Sequence, residues 1–306
     1  MCRHSEAASY VIISPVKDEE QYVEKTIRAV LAQTVRPYKW IIVDDGSADK
    51  TPEILEKYAR QFDWIQVLRL ENGLSRRPGA AVIHAFASGF DLVHAEPVEF
   101  VVKLDCDVEL PPSYFENLIA RFAADPALGI ASGIYLEKEQ GQWQPVEMPH
   151  YHAAGACKMI RTECFREIGG FVESRGWDTV DEIRAQVLGW KTQHFTDLQF
   201  HHLKREGSGI GPLATSVMHG EVYYLTGGGK LFFLLKVLHR VVCDKPFLAS
   251  GLALLWGYVK TMLSGEGKLV SSEEARFYAR LLNRRMWSGL AAFREPSPES
   301  RAWSCD

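Results

Sequence analysis

The chain has 306 residues, 46% of them hydrophobic and 24% charged, with a formal net charge of −4. This is the balance of a globular protein that can bury a large core, and it argues against a nucleic-acid binder. The six cysteines, Cys2, Cys106, Cys157, Cys164, Cys243 and Cys305, include no C-x-x-C pair. No zinc site is therefore expected, and their scatter fits a reducing cytoplasm.

Residues 1–9 lack the apolar stretch of a signal peptide. Tyr10-Val11-Ile12-Ile13 predicts a first strand, ended by Ser14-Pro15. Tyr22, Thr26, Ile27, Val30 and Leu31 follow at helical spacing, and Trp40–Val43 predicts a second strand. Thr51-Pro52-Glu53 opens a helix through Tyr58, Ile65–Leu70 reads as a third strand, and residues 79–95 as an alanine-rich helix. Phe100–Leu104 is the fourth strand. Strands alternating with helices through short loops predict a doubly wound, mostly parallel sheet.

After Asp107 a helix carries Tyr114, Phe115, Leu118, Ile119 and Phe122, and Gly129–Leu136 reads as a strand closed by a Gly141 loop. A helix is expected from about Asp181 to Leu188, ended by Gly189, followed by strand residues Thr192–Phe195 and Leu198–Phe200. From Lys230 onward the chain reads as helical. Residues 230–306 hold twelve Lys/Arg against seven Asp/Glu, a local excess of +5 that leaves the first 229 residues at −9. A basic, apolar end on an acidic body suits peripheral contact with an anionic membrane. Phe247–Val259 is apolar over thirteen residues, short of the roughly 20 a spanning helix needs. A buried or an interfacial helix is expected there.

The chemistry gathers at the strand exits. Asp105 and Asp107 stand one residue apart after the fourth strand, where open α/β sheets bind ligands. Two short carboxylates suit a hard divalent cation that also grips phosphate oxygens. Asp44-Asp45-Gly46-Ser47 closes the second strand, and such a carboxylate accepts from a base N–H or from ribose hydroxyls. An Asp-Gly turn with a helix cap is the structural alternative.

The order Pro15-x-x-Asp18-Glu19, then Ile41-Ile42-Val43-Asp44-Asp45-Gly46-Ser47-Ala48-Asp49-Lys50-Thr51, then Asp105-x-Asp107, then Gly169-Gly170-Phe171 resembles family 2 glycosyltransferases. The resemblance covers roughly residues 10–205. It implies the α/β GT-A fold, with a mostly parallel central sheet flanked by helices and a helical C-terminal extension. A catalytic domain is expected over 1–229, with a nucleotide half over 10–107 and an acceptor half over 108–229, and a basic helical region over 230–306.

The resemblance also implies roles. Pro15, Asp18, Glu19, Asp44 and Asp45 would line the donor pocket, and Asp105 and Asp107 would hold Mn²⁺ or Mg²⁺ and the sugar diphosphate. His202 would join the metal, and Lys204 and Arg205 would reach the diphosphate. Arg76, Arg77 and Gly79 stand where the family keeps a basic-glycine loop. The general base would be an acid at the start of a later helix. Here Trp177-Asp178-Thr179-Val180-Asp181-Glu182 departs from the usual Glu-Asp, and three acids compete: Asp181 first, then Glu182 and Asp178. The absence of Gln-x-x-Arg-Trp favours single sugar addition over polymerisation.

The expected activity is thus transfer from a nucleotide-diphosphate sugar to a saccharide or lipid-linked hydroxyl acceptor, with inversion. The expected place is the cytoplasm or the cytoplasmic face of a membrane. Two other readings stand beside it, a nucleotidyltransferase acting on sugar phosphates and an inactive carbohydrate-binding protein. The first usually places a Gly-rich basic loop after strand one, where this chain has Pro15-Val16-Lys17-Asp18-Glu19.

Overall fold

The computed structural model describes residues 9–70, 79–205, 211–243 and 247–292. It divides into two compact units, Met1–Gly209 and Ile210–Asp306.

The N-terminal unit begins as alternating strands and helices: β1 (Tyr10–Val16), α1 (Val23–Leu31), β2 (Lys39–Asp44), α2 (Thr51–Ala59), β3 (Ile65–Arg69), α3 (Ala80–Phe90) and β4 (Phe100–Leu104). It continues with β5 (Val108–Glu109), α4 (Tyr114–Ala124), β6 (Leu128–Glu139), β7 (Gln142–Pro145), β8 (Cys157–Arg161), α5 (Thr162–Glu167), α6 (Trp177–Val187) and β9 (Lys191–His202). One sheet joins them in the order β3-β2-β1-β4-β8-β6-β9-β5, with β7 on β6. The first four neighbours are parallel, β8 runs against both β4 and β6, and β6 and β9 are parallel again.

The central strands are buried on both faces, so alternate residues feed two cores. Tyr10, Ile12, Trp40, Ile42 and Val102 join one with Phe115 and Leu118 of α4. Val11, Ile13, Ile41, Val43 and Val101 join the other with Phe86 of α3 and Phe165 of α5. Because β1, β2 and β4 are parallel, their carboxyl ends open on the same edge of the sheet. β1 is longer than its sequence suggests and runs through Ser14-Pro15 to Val16. Ser14 is buried there, accepting from the Trp40 indole at 2.9 Å.

Two details aim the acidic loop after β4. The Thr26 hydroxyl of α1 donates to the Val108 carbonyl at 2.8 Å and accepts from the Val108 amide at 3.1 Å, pinning β5. β9 is a single strand with a bulge: Gly133 faces Phe195, yet Ile134 faces Gln199. The three extra residues shift the end of β9, so that His201 and His202 pair with Glu109 and Val108. A Cβ on Gly133 would lie 2.0 Å from the Leu198 carbonyl oxygen, so the bulge can close only over glycine.

The C-terminal unit comprises α7 (Pro212–Leu225), α8 (Lys230–Cys243), α9 (Ala249–Leu263) and α10 (Ser272–Ala292). The helical region expected from Lys230 is thereby extended backwards by one helix, because α7 packs along α9. Tyr223, Phe233, Leu254 and Leu282 are buried in it. The Phe233 ring stacks on Tyr258 at 4.4 Å between centroids.

Gly133→Ala is expected to cost about 3 kcal/mol or more in urea unfolding, through the backbone clash at Leu198. An unchanged midpoint would mean the bulge adapts freely.

Candidate active site

The loops after β1 and β2 are laced together. The Asp18 amide donates to Ser47 Oγ at 2.9 Å, and Asp18 Oδ1 accepts from the Ala48 amide at 2.8 Å. Asp18 itself takes a φ of 53°, the left-handed region that Asp tolerates better than most residues. The Glu19 amide donates to Thr51 Oγ1 at 2.9 Å, and Lys17 Nζ donates to the Asp45 carbonyl at 2.8 Å. Asp44 is buried, and its Oδ1 accepts from the Ser47 amide at 2.8 Å. Asp18 and Asp44, expected to line a donor pocket, instead shape its wall by holding the two loops together.

The pocket itself holds about 500 Å³ and is lined by Pro15, Lys17, Glu19, Asp45, Asp105 and Asp107, with Gly79, Val82 and Ala85 opposite. Arg76 and Arg77 lie outside the described residues. A second cavity of about 270 Å³ shares Asp105 and Val82 with the first and adds Lys103, Tyr135, His152, Trp177, Asp178 and His202. Asp105 is thus the wall between two adjoining chambers.

Around that wall the charges are dense. Asp107 Oδ2 lies 3.5 Å from His202 Nε2, whose Nδ1 faces Glu137 Oε1 at 3.3 Å. Burial opposes charge on His202, but Asp107, Asp105 and Glu137 outweigh it and push the imidazole up to about 9. Glu19 Oε1 takes a 2.6 Å bond from Lys204 Nζ, while its Oε2 is buried without a hydrogen-bond partner. Burial raises the Glu19 carboxyl, and Asp107 and Asp105 add to the rise against the pull of Lys204. Arg205 turns to Glu137 and Glu139, at 3.9 and 3.7 Å, and its side chain is two-thirds exposed.

Among the described residues no three His, Cys, Asp or Glu side chains are drawn together as a ready metal cage. The donor set nonetheless fits a cation. Asp107 and His202 adjoin, Glu137 backs the imidazole as a carboxylate backs a ligating histidine, and Glu19 Oε2 is an orphaned carboxylate oxygen beside them.

The three candidate bases separate sharply. The helix expected from Asp181 begins four residues earlier, at Trp177, because Gly176 caps it in the left-handed region at φ 82°. Asp178 therefore sits in the first turn and lines the second cavity. Asp181 and Glu182 stand one turn further along the same face of α6, but deeper, each with about 1% of its surface exposed. Lys158 Nζ, wholly buried, sits 2.9 Å from Asp181 Oδ2 and 3.3 Å from Glu182 Oε1, and also donates to the Asp178 carbonyl at 3.0 Å. Glu182 accepts from the Ala153 amide at 2.7 Å and faces His152 Nδ1 at 3.0 Å. Burial pushes the Asp181 carboxyl up to about 7 despite Lys158, whereas the carboxylates around Lys158 outweigh its burial and hold its ammonium above the usual lysine range. Neither Asp181 nor Glu182 lines a cavity described here, so the expectation that Asp181 is first in rank does not match the geometry.

Sequence reasoning passed over the lysines that organise this site. Lys103 interrupts the apolar run of β4 and Lys158 that of β8, and the two are register partners. Lys103 Nζ donates to Asp105 Oδ1 at 2.5 Å and to the Gly155 carbonyl at 2.8 Å. Both ammonium groups lie just over 5 Å from the Trp177 ring centroid, within cation–π range. A lysine inside an otherwise apolar strand needs buried counter-charges, and that was the signal available. The Gly169-Gly170-Phe171 turn serves the same end: Phe171 packs edge-on against Trp177 at 4.7 Å.

The model of glycosyl transferase family 2 matches residues 11–174, more than half of the chain. The chain belongs to glycosyl transferase family 2. An undecaprenyl-phosphate 4-deoxy-4-formamido-L-arabinose transferase of Photorhabdus laumondii subsp. laumondii is 31% identical over 111 residues, 35% of this chain and 32% of that protein. The matched stretch spans about a third of the length of such curated relatives. Among solved structures, the mannosyltransferase PcManGT of Pyrobaculum calidifontis, in complex with GDP-Man and Mn²⁺, aligns over 98% of this chain and 84% of its own, with a TM-score of 0.54 at 16% identity. GalNAc-T7, with UDP, GalNAc and Mn²⁺, aligns over 85% of this chain and 57% of its own, with a TM-score of 0.58 at 16% identity. The fold of this family 2 chain is GT-A.

Lys158→Met would leave Asp181 and Glu182 buried without their cation. It is expected to destabilise the protein by about 3–5 kcal/mol in denaturant unfolding. A loss near zero would mean the cluster is solvated after all.

Proposed function

We propose that the protein is a non-processive glycosyltransferase. It moves one sugar from a nucleotide-diphosphate donor to a hydroxyl of a saccharide or lipid-linked acceptor, with inversion. The single observation that carries this reading is the adjoining pair of chambers. One has the acids and the lysine, Lys17, suited to a nucleoside diphosphate with its cation, the other has Asp178, and Asp105 belongs to both.

Glu19, Asp45 and Asp105 receive the donor, with Lys17 and Lys204 able to offer ammonium groups to its phosphates. Asp107 and His202 would hold Mn²⁺ or Mg²⁺, completed by phosphate oxygens and water as is usual for such ions. The cation supplies Lewis-acid stabilisation of the departing diphosphate. Lys103 fixes the Asp105 carboxylate, and Trp177 and Tyr135 wall the acceptor side.

The acceptor oxygen forms its bond to the anomeric carbon as the carbon–oxygen bond to the diphosphate breaks on the opposite face. Asp178 accepts the acceptor's hydroxyl proton, directly or through one water. Asp181 and Glu182 act as positioning residues. Through Lys158, which also binds the Asp178 carbonyl, they fix the first turn of α6. The shared name of several curated relatives, undecaprenyl-phosphate transferases, favours polysaccharide or glycolipid assembly as the setting.

Asp178→Asn is expected to lower kcat by about 10²–10⁴-fold with donor affinity and melting temperature retained. Asp181→Asn should instead lower the melting temperature and keep most of its turnover below it. A fully active Asp178→Asn protein beside an inactive but stable Asp181→Asn protein would return the base to Asp181.

A further inference from the structure

His152 is held far more firmly than a loop residue requires. Its amide donates to the Pro149 carbonyl at 2.7 Å, and its carbonyl accepts from His194 Nδ1 at 2.9 Å. The next two amides are fixed as well, Ala153 donating to Glu182 Oε1 and Ala154 to Ser132 Oγ, each at 2.7 Å. The backbone that carries the imidazole is therefore set in place before any ligand arrives.

One edge of the ring is fixed too. Nδ1 lies 3.0 Å from Glu182 Oε2, the oxygen that Lys158 and the Ala153 amide leave unused. With both acids ionised, Lys158, Asp181 and Glu182 carry one negative charge in surplus, and an imidazolium at His152 balances it. Burial opposes charge on the ring, but Glu182 and then Asp178 outweigh it and hold the imidazole above its ordinary value.

The other edge is open. Among the described residues Nε2 has no hydrogen-bond partner. His152 lines the second cavity and Glu182 does not; their side chains are 22% and 2% exposed. The ring thus bridges a closed charge cluster and an open chamber. Charge balance alone would be met by a histidine wholly inside the cluster. A carboxylate behind one nitrogen and a free second nitrogen is the arrangement that sets the tautomer and orientation of a histidine that acts on a ligand. The same chamber holds Asp178, whose Oδ2 lies 3.7 Å from where a Cβ on Gly155 would stand, three residues beyond His152.

We infer that His152 is a second acceptor-side residue of the sugar transfer: its Nε2–H donates a hydrogen bond to the attacking oxygen while Asp178 takes that oxygen's proton. The inference rests on the function proposed above and adds to it the group that aims the nucleophile. A hydroxyl oxygen has two lone pairs. One forms the bond to the anomeric carbon as the bond from that carbon to the diphosphate oxygen breaks. The other accepts from Nε2, and the hydroxyl proton passes to Asp178. His152 keeps its own proton and its bond to Glu182, so no proton moves through the pair. What the pair supplies is orientation, and a nucleophile displaced by about 1 Å reacts up to about 10²-fold more slowly.

The test uses water as the acceptor: hydrolysis of UDP-GlcNAc, GDP-mannose and dTDP-glucose by the full chain with Mn²⁺. For the donor that is turned over, His152→Ala is expected to lower kcat by about 10–100-fold, with donor KM and melting temperature unchanged. His152→Gln, whose amide N–H reaches close to the place of Nε2, should recover most of that loss. A His152→Ala protein with wild-type kcat overturns the inference and leaves the sugar-transfer reading standing. So does a loss that His152→Gln does not relieve, which marks a packing role, or a loss that falls on donor KM alone. A wild-type protein that hydrolyses none of the three donors removes the sugar-transfer reading, and this inference with it.

Discussion

A lysine ammonium with no water around it must be surrounded by carboxylate and carbonyl oxygens. Lys158 is that lysine, and the geometry of the cavity beside Trp177 and Asp178 follows from satisfying it. Its strand, β8, lies between β4 and β6, so the ammonium is fixed by the sheet. Asp181 and Glu182 must come to it from α6, and the Asp178 carbonyl completes the shell. Those contacts set the rotation of α6 about its axis. With Asp181 and Glu182 buried on this face, Asp178, one turn nearer the start of the helix on the same face, borders the cavity. His152, raised above its ordinary value because Glu182 outweighs the effect of burial, brings the 149–154 loop to the same cluster.

The larger cavity rests on a different device. The parallel pairing of β2, β1 and β4 gathers three strand exits on one edge, and side-chain-to-backbone bonds then stitch the first two loops into one wall. The carboxylates at these exits repel one another and leave Glu19 Oε2 buried and unpaired. Such a cluster is costly in isolation and gains most from a cationic ligand complex. Lys103 joins the two sides, holding Asp105 with its ammonium while lying near the Trp177 ring.

Much of this was legible in the sequence. The apolar runs ending at Val43 and Leu104 are fully buried parallel strands, and Asp45, Asp105 and Asp107 at their exits line one cavity. The start of α6 was misread for a local reason. Gly176 takes a left-handed cap that opens α6 at Trp177, whereas the visible apolar periodicity and the Asp-Glu pair suggest a start at Asp181. Burial decided the rest: Asp181-Glu182 reads as an acid pair at a helix start until Lys158, 23 residues before Asp181 in an apolar strand, is brought against it. The β9 bulge was illegible too, since Thr192–Phe195 and Leu198–Phe200 read as two strands and only the pairing with β6 shows one. The C-terminal helices were recognisable by composition, but the sequence does not show that α9 buries Ser250, Gly251, Gly257 and Thr261.

The central claim is that the Glu19–Asp107–His202 cleft binds a sugar nucleotide together with a divalent cation. Calorimetric titration of UDP-GlcNAc and GDP-mannose into the protein, with and without Mn²⁺, tests it most directly. The account predicts that at least one of these donors binds, that binding is markedly tighter with Mn²⁺, and that Asp107→Ala removes the enhancement without unfolding the chain. Binding of equal strength without the cation, or an enhancement that survives in Asp107→Ala, would contradict it.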